Sequence, residues 1–327
     1  MIIVYGLVGL VGLVVGLIII GIAYEQISAF IARRRYKTPL GDLIDIGTHR
    51  LHIHTMGERQ ARQPAIVFDS GVGSNSLDWQ RVQPALAKHA QTITYDRSGY
   101  GWSDESTLPR TPQRIIEELH QLLTNAGIEP PYVLVGHSFG GLHVRLFAET
   151  YPDEVVGIVL VDSSHPEMIA ERNTAPEIRR LKNVQLFQFF GLVRAMLPRI
   201  LTRANDLDPE ARRQYLAMTL MDNANIINEA VPLFTNGVDL TDAIDMPLIV
   251  VSRHVDDALE SEKRWASYQE KLLDLSPTAK HIHSEKSKHW IALAEPDVVV
   301  NAVLQILNDI QNTNHPIESK IETEQEG

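Results

Sequence analysis

Two patterns of apolar and polar residues alternate along most of the chain. Short apolar runs begin near residues 65, 92, 132, 156, 247 and 279, and segments with apolar residues at helical spacing lie between most of them. A turn at Gly47 and Thr48 predicts a hairpin before the first of these runs. The alternation predicts an α/β fold with a mostly parallel sheet that is covered by helices on both faces.

The interval 166–244 interrupts this alternation. It is too long for a connecting loop and contains helical patterns at 178–186 and 209–221, so we interpret it as a helical cap inserted between two strands. Within it, residues 184–193 are apolar and aromatic, and Arg194, Arg199 and Arg203 follow. This segment is compatible with an entrance for an apolar substrate, with a membrane-facing surface, or with simple packing of the cap on the core.

The N-terminus predicts a membrane anchor. Residues 2–24 contain no charged side chain, which is enough to cross a bilayer of about 30 Å at roughly 1.5 Å per residue. No basic residue precedes the run and no A-x-A pattern ends it, which favours an uncleaved helix over a signal peptide. Residues 25–40 form a basic linker in this interpretation, and Gly12 and Gly16 have the spacing of a helix-dimer motif, compatible with a homodimer.

The basic cluster of the linker, Arg33, Arg34, Arg35 and Lys37, predicts the orientation of the anchor. Positive charge beside a span stays on the cytoplasmic side, so we expect a single-pass protein of the cell membrane whose main domain, residues 41–311, is cytoplasmic. The polar, Glu-rich residues 312–327 predict a disordered tail.

The sharpest chemical signal is Gly136-His137-Ser138-Phe139-Gly140, which stands between an apolar run at 132–135 and a helical pattern from 141 onward. In a strand–turn–helix context, G-x-S-x-G forms a nucleophile elbow that projects the serine hydroxyl above the sheet. Ser138 is therefore the candidate nucleophile. His289, on a loop between a short strand at 279–283 and the helical pattern 296–310, is the candidate base.

A carboxylate should hold the histidine in the correct tautomer. Our first choice is Asp256, which follows the strand-like run 247–252, with Asp257 beside it; the alternative is Asp162, at the end of the run 156–161. For the oxyanion hole we expect the backbone amides of Phe139, which follows the nucleophile, and of Val72, in the Gly/Ser-rich loop after the strand at 65–68.

With the elbow, the segment 95–103 (Tyr-Asp-Arg-Ser-Gly-Tyr-Gly-Trp-Ser) resembles the α/β-hydrolase superfamily, and the likeness runs from about residue 41 to residue 311. Many members of that family carry His-Gly where this chain has Ser70-Gly71. Relatives that open epoxides or carbon–halogen bonds place an aspartate at the elbow, so Ser138 favours acyl transfer to water. The resemblance implies an α/β-hydrolase fold and an ester, thioester or amide substrate.

Composition agrees with one such domain plus extra segments: 327 residues, 44% of them hydrophobic. A net charge of −11 argues against nucleic-acid binding, and the absence of cysteine excludes thiolate chemistry. Two His-x-His pairs (His52 and His54, His281 and His283) lack an accompanying carboxylate cluster, so we expect neither a metal nor a cofactor.

We therefore expect a membrane-anchored, lipase-like serine esterase that acts on a small, apolar acyl substrate. The alternatives are an aminopeptidase or amidase of the same fold, which needs an acidic group for the substrate ammonium, and a hydrolase-fold binding protein that has lost catalysis.

Overall fold

Eight strands form one central sheet in the computed structural model. It describes residues 1–60, 63–171, 174–222, 225–241, 243–256 and 258–325, without the side chains of residues 2, 3, 200 and 313–325. The strands are β1 (Asp42–Asp45), β2 (Arg50–Met56), β3 (Ala65–Asp69), β4 (Thr92–Tyr95), β5 (Tyr132–His137), β6 (Val155–Val161), β7 (Leu248–Ser252) and β8 (Lys280–His283). Their order is β1-β2-β4-β3-β5-β6-β7-β8. Strand β2 pairs antiparallel with β1 and β4, and the other pairs are parallel, which confirms the predicted architecture.

Helices cover both faces of this sheet. The helices of the described residues are α1 (Ile2–Arg35), α2 (Gln83–Leu86), α3 (Pro112–Asn125), α4 (Gly140–Thr150), α5 (Pro166–Ala170), α6 (Thr174–Phe189), α7 (Leu192–Ile200), α8 (Pro209–Asp222), α9 (Ile226–Asn236), α10 (Glu260–Lys271), α11 (Ile291–Ala294) and α12 (Pro296–Gln325). The alternation of side chains along β5 divides the core into two layers. Leu134 packs with α3 and α4, whereas Val133 and Val135 pack with α12.

Helix α3 shows how local sequence sets these elements. The hydroxyl of Thr111 accepts a hydrogen bond from the Arg114 amide at 3.3 Å, and Pro112 occupies the first turn, where a missing N–H costs nothing. The buried residues that follow recur at helical spacing and face the sheet: Ile115, Ile116, Leu119, Leu122 and Leu123.

Helices α5 to α9 lie between β6 and β7, where the sequence predicts a cap. The two helical patterns at 178–186 and 209–221 fall inside α6 and α8. The cap contributes buried polar contacts as well as apolar ones: Glu229 of α9 pairs with Arg97, and Asp222 of α8 accepts from Asn75 of the loop after β3. The cap is therefore fixed to the same loops that surround the elbow.

The N-terminal helix is longer than expected. Residues 25–35, interpreted from the sequence as a linker, continue α1 as far as Arg35, because no glycine or proline interrupts 22–35 and three arginines favour a helix C-terminus. Its apolar part is long enough to cross a membrane and is not buried by the rest of the chain. The sequence predicts a disordered tail at 312–327. The structure describes only the backbone of residues 313–325, and that backbone continues α12 as a helix to Gln325.

Candidate active site

Ser138 occupies a sharp turn between β5 and α4. Its φ of 55° lies in the left-handed region, which is unusual for a residue with a side chain and typical of a nucleophile elbow. The flanking glycines make the turn possible. A Cβ at Gly136 would lie 2.6 Å from the carbonyl oxygen of Gly140, and one at Gly140 would collide with the backbone of Asp69.

His289 lies on the loop between β8 and α11 and reaches the elbow. Its Nε2 is 3.1 Å from the Oγ of Ser138, within hydrogen-bonding distance. The backbone oxygen of His289 accepts a hydrogen bond from Nε2 of His137 at 2.8 Å. Burial lowers the pKa of His137 to about 3, so that ring is neutral and holds its proton on the nitrogen that donates. The elbow thus holds the loop of its own base.

The carboxylate against His289 is that of Asp162, not the preferred Asp256. Nδ1 of His289 lies 2.5 Å from Oδ2 of Asp162. Asp162 follows β6 directly, with a φ of 44°, and is fully buried. Asp256 is exposed and its Oδ1 accepts from the Ala258 amide in the turn before α10, which is an ordinary role for aspartate. Asp257, the residue beside it, lies outside the described residues.

Arg253 occupies the position immediately after β7. Its Nε and Nη2 lie 2.7 and 2.6 Å from Oδ2 of Asp162, and Trp265 Nε1 donates to Oδ1 at 2.8 Å. Burial opposes ionisation of Asp162, yet the hydrogen bond and charge of His289, and then those of Arg253, outweigh it and hold the pKa of Asp162 well below its usual range. Asp162 is therefore an anion.

The two expected oxyanion donors flank the nucleophile. Val72 and Phe139 both line the cavity above Ser138, and neither backbone N–H has a hydrogen-bond partner among the described residues. A Cβ built on Gly71 would lie 3.1 Å from the Ser138 Cβ, so this loop passes directly over the elbow. Both amides are free to donate hydrogen bonds to an oxyanion of a ligand.

Arg97 fixes the orientation of that loop. Its Nη1 donates to the Ser70 carbonyl and its Nη2 to the Gly71 carbonyl, each at 2.7 Å. In a trans peptide the C=O and the following N–H point in opposite directions, so this bond aims the Val72 amide away from Arg97. The Ser70 hydroxyl, at the position where many α/β hydrolases have histidine, accepts from Trp79 Nε1 at 2.9 Å.

A cavity of about 1240 Å³ opens above these groups. Its wall contains residues of the elbow, the cap and α10, including Met168, Arg180, Leu181, Arg203, Trp265, Tyr268 and Trp290. The guanidinium of Arg203 stacks on Trp290 at 3.4 Å from the ring centroid. The space is large enough for a drug-sized ligand and mixes apolar and charged walls.

The paired histidines of the sequence have other partners. His52 Nδ1 lies 2.8 Å from Asp96 Oδ2 in the core, and the Oγ of Ser252 lies within 3.0 Å of nitrogens of both His281 and His283. Within the described part of the chain, no group of three or more His, Asp or Glu side chains could hold a metal ion.

Comparison with known proteins agrees with this fold. The family profile of the alpha/beta hydrolase fold matches residues 64–211. The enol-lactonase from Burkholderia xenovorans LB400 superposes with a TM-score of 0.63 at 20% identity, over 82% of this chain and 100% of the enzyme. The chain therefore has the α/β-hydrolase fold, and residues 64–211 match the profile of that family.

Two relatives extend the comparison. The uncharacterized protein YqjL of Bacillus subtilis (strain 168) is 26% identical over 254 residues, which cover 77% of this chain and 87% of YqjL. An uncharacterized vacuolar membrane protein of Saccharomyces cerevisiae (strain YJM789) is 32% identical over 137 residues, 37% of this chain. The aligned region spans only 21% of that yeast protein.

Proposed function

We propose that the protein hydrolyses a carboxylic ester through an acyl-enzyme formed on Ser138. The single observation that carries the proposal is the continuous contact from Ser138 Oγ through the His289 ring to the Asp162 carboxylate. This is the arrangement in which a serine hydroxyl becomes a nucleophile at neutral pH.

In the proposed mechanism, Nε2 of His289 takes the hydroxyl proton as Ser138 Oγ attacks the ester carbonyl carbon. The negative charge that forms on the carbonyl oxygen is held by the amides of Val72 and Phe139. The C–O bond to the alcohol then breaks, and the imidazolium gives its proton to the leaving alkoxide. A water molecule repeats the sequence on the acyl-enzyme, releasing the acid and restoring Ser138. The anionic Asp162 stabilises the imidazolium and does not itself take the proton.

An aminopeptidase needs a free carboxylate near Ser138 to bind the substrate ammonium. The carboxylates of the cavity wall are engaged elsewhere: Glu171 with Arg264 and Tyr268, Glu262 with Arg253, and Glu260 with Lys263. This supports an ester without an adjacent amine rather than a peptide.

We further propose that α1 anchors this hydrolase in a membrane, as a single span with the enzyme on the cytoplasmic side. The uncharged residues 2–24 supply the span, and the basic cluster at 33–37 supplies the orientation. The likeness to a vacuolar membrane protein of yeast supports membrane association.

Labelling with a fluorophosphonate probe, which phosphonylates an activated serine, tests the proposal on the detergent-solubilised full chain. We expect Ser138→Ala to abolish labelling and His289→Ala to reduce it to background. The decisive pair is Asp162→Asn and Asp256→Asn. Asp162→Asn should lower ester turnover by roughly 10⁴-fold, as loss of the triad acid does elsewhere, whereas Asp256→Asn should leave it near that of the parent.

The same experiment separates the alternatives. A folded parent that takes no label would contradict the esterase and support a binding protein that retains the fold without catalysis. Equal loss of turnover in both aspartate variants would contradict the assignment of Asp162.

A further inference from the structure

Helix α1 is held against the cap along its second half. Gly21 touches the backbone of Phe190 and Gly191, so closely that a Cβ on Gly21 would collide with the Phe190 carbonyl. One turn further on, the carboxylate of Glu25 accepts from Arg194 of α7 through both oxygens at 2.8 Å. At the other end, Arg35 pairs with Glu210 of α8. At 1.5 Å per residue, these contacts extend over roughly 21 Å of α1.

These contacts lie toward the C-terminal end of the proposed span. Residues 4–20 are mostly exposed, whereas Gly21 lies against the connection between α6 and α7. Glu25 is the first charged residue of the chain and is buried in its pair with Arg194. If residues 2–24 cross the bilayer, the connection between α6 and α7 at Phe190 and Gly191 lies at the boundary of the hydrocarbon.

Both sides of that connection carry exposed apolar side chains. We call them the apolar tip: Leu186, Phe187 and Phe189 at the end of α6, and Leu192 and Met196 on α7, each about half exposed. Large apolar side chains grouped in this way mark interaction sites on soluble surfaces. Exposed Lys182 and Arg199 flank the tip, so the surface has the apolar and basic composition of a helix that lies in a membrane interface.

Helix α6 also reaches the candidate active site. Arg180 and Leu181 line the cavity above Ser138, and Phe189 is eight residues beyond Leu181, about 12 Å along the same helix. The helix that contributes Arg180 and Leu181 to the cavity wall therefore also carries part of the apolar tip.

We propose that the apolar tip is seated in the surface of the bilayer that α1 crosses, so that the cavity opens beside the lipid and takes its substrate from it. The bilayer is the occupant that fits, because the tip adjoins Gly21, in the last turn of the proposed span. The substrate class, a long-chain ester dissolved in the membrane, rests on the proposed esterase, whereas the contact of the tip with lipid rests only on the proposed span of α1.

The absence of cysteine from the sequence makes the contact measurable. Single substitutions Phe187→Cys, Leu192→Cys and Met196→Cys are labelled with an environment-sensitive fluorophore in the full chain, reconstituted in phosphatidylcholine nanodiscs. Lys88→Cys is the control. This exposed residue precedes β4 and therefore lies near the N-terminal ends of the parallel strands, whereas Ser138 follows the C-terminal end of β5. Each variant is first checked for an unchanged melting temperature.

We expect blue-shifted emission at the three tip positions and quenching by nitroxide-labelled lipids several-fold stronger than at Lys88. Quenching no stronger than at Lys88 would overturn the proposal. So would blue-shifted emission that is insensitive to lipid quenchers, since this would indicate a second protein copy on the tip.

Turnover separates this proposal from the esterase itself. The double substitution Phe187→Asp with Leu192→Asp should lower hydrolysis of a long-chain ester in the nanodisc several-fold and leave a short, water-soluble ester unaffected. Leu108→Asp, an exposed leucine outside the cap, is the matched control. An equal effect on both esters would overturn the route from the lipid. If lipid quenching is as expected but neither ester is hydrolysed by the parent, the tip stands and the proposed function fails.

Discussion

Arg253 and Asp162 form an ion pair inside the candidate triad, with Nη2 of Arg253 2.6 Å from Oδ2 of Asp162. The same oxygen lies 2.5 Å from Nδ1 of His289. Nη2 is also 2.9 Å from that Nδ1, but when the imidazole donates to Asp162 both nitrogens are donors, so they do not bond each other. The guanidinium thus stabilises the carboxylate and opposes a positive charge on the neighbouring ring.

Replacing Arg253 with methionine, which keeps much of the apolar stem and removes the charge, should lower kcat for ester hydrolysis. Arg253 helps to hold the pKa of Asp162 below its usual range, so its loss leaves the buried carboxylate with less compensation for burial and a less fixed position against His289. We expect a fall on the order of tenfold, measured in steady-state assays at neutral pH.

Arg253→Lys is the matched control, because it retains the charge but loses the fork that reaches Asp162 at two nitrogens. We expect its kcat to lie between those of the parent and the methionine variant. A methionine variant with the kcat of the parent would mean that Arg253 only packs against Trp265.

The sequence predicts the groups that local chemistry specifies. Ser138 follows from the glycines on either side of it, and His289 from its place between the last strand and the last long helix. The carboxylate that contacts His289 is harder to predict. A carboxylate at the end of either β6 or β7 lies close to His289, and only the register of the strands decides between them. One signal favoured Asp162: it follows its buried strand directly, whereas Asp256 comes four residues after Ser252, in a polar segment.

Contacts between distant segments could not be predicted from periodicity. Arg97 and Glu229 are 132 residues apart, and their pairing depends on how the cap folds over the sheet. The predicted end of the N-terminal helix is wrong for a related reason. The segment 25–35 is interpreted from the sequence as a linker because it carries charged residues at both ends, but two of those residues, Glu25 and Arg35, form ion pairs with the cap.

Glu229→Gln should destabilise the fold strongly. The side chain is buried and pairs with Arg97 at 2.8 Å and with Arg110 at 2.5 Å. Neutralising it removes this counter-ion from Arg110 and leaves Arg97 with Asp69 as its remaining carboxylate partner among the described residues. Breaking a buried pair in this way costs about 3–5 kcal/mol of unfolding free energy. Glu210→Gln removes exposed pairs with Arg35 and Arg213 and should cost much less, because solvent screens exposed ion pairs. Denaturant unfolding of both variants measures the difference, and similar losses would contradict a buried electrostatic link between cap and core.

Asp222 should make the stability of the protein fall as pH rises. Burial raises the pKa of this carboxyl from 3.8 to about 8, even though it accepts from Asn75 and Gly101. The folded chain therefore keeps a proton that the unfolded chain has released, and stability declines across the interval from about pH 4 to about pH 8.

The Asp222→Asn variant tests this assignment. Its melting temperature should be lower than that of the parent in acid, because the amide has one acceptor oxygen for the two donors, Asn75 and Gly101. It should also decline less than that of the parent over the interval. Asp208→Asn, at the exposed N-terminal end of α8, should follow the parent; a variant at 222 with the parent's slope would contradict the assignment.

His137→Leu tests whether the elbow positions its own base. The neutral ring of His137 donates to the His289 backbone oxygen at 2.8 Å, and its pKa of about 3 keeps it uncharged throughout the working range. Losing one net hydrogen bond costs about 1 kcal/mol, which corresponds to a fall in kcat of roughly 5- to 10-fold if the bond holds His289 in place. Because His137 does not titrate in the working range, both limbs of the pH profile should stay where they are. His137→Gln, which can still donate to the carbonyl, should recover much of the loss. A shifted limb in the leucine variant would instead mean that His137 carries a proton during turnover.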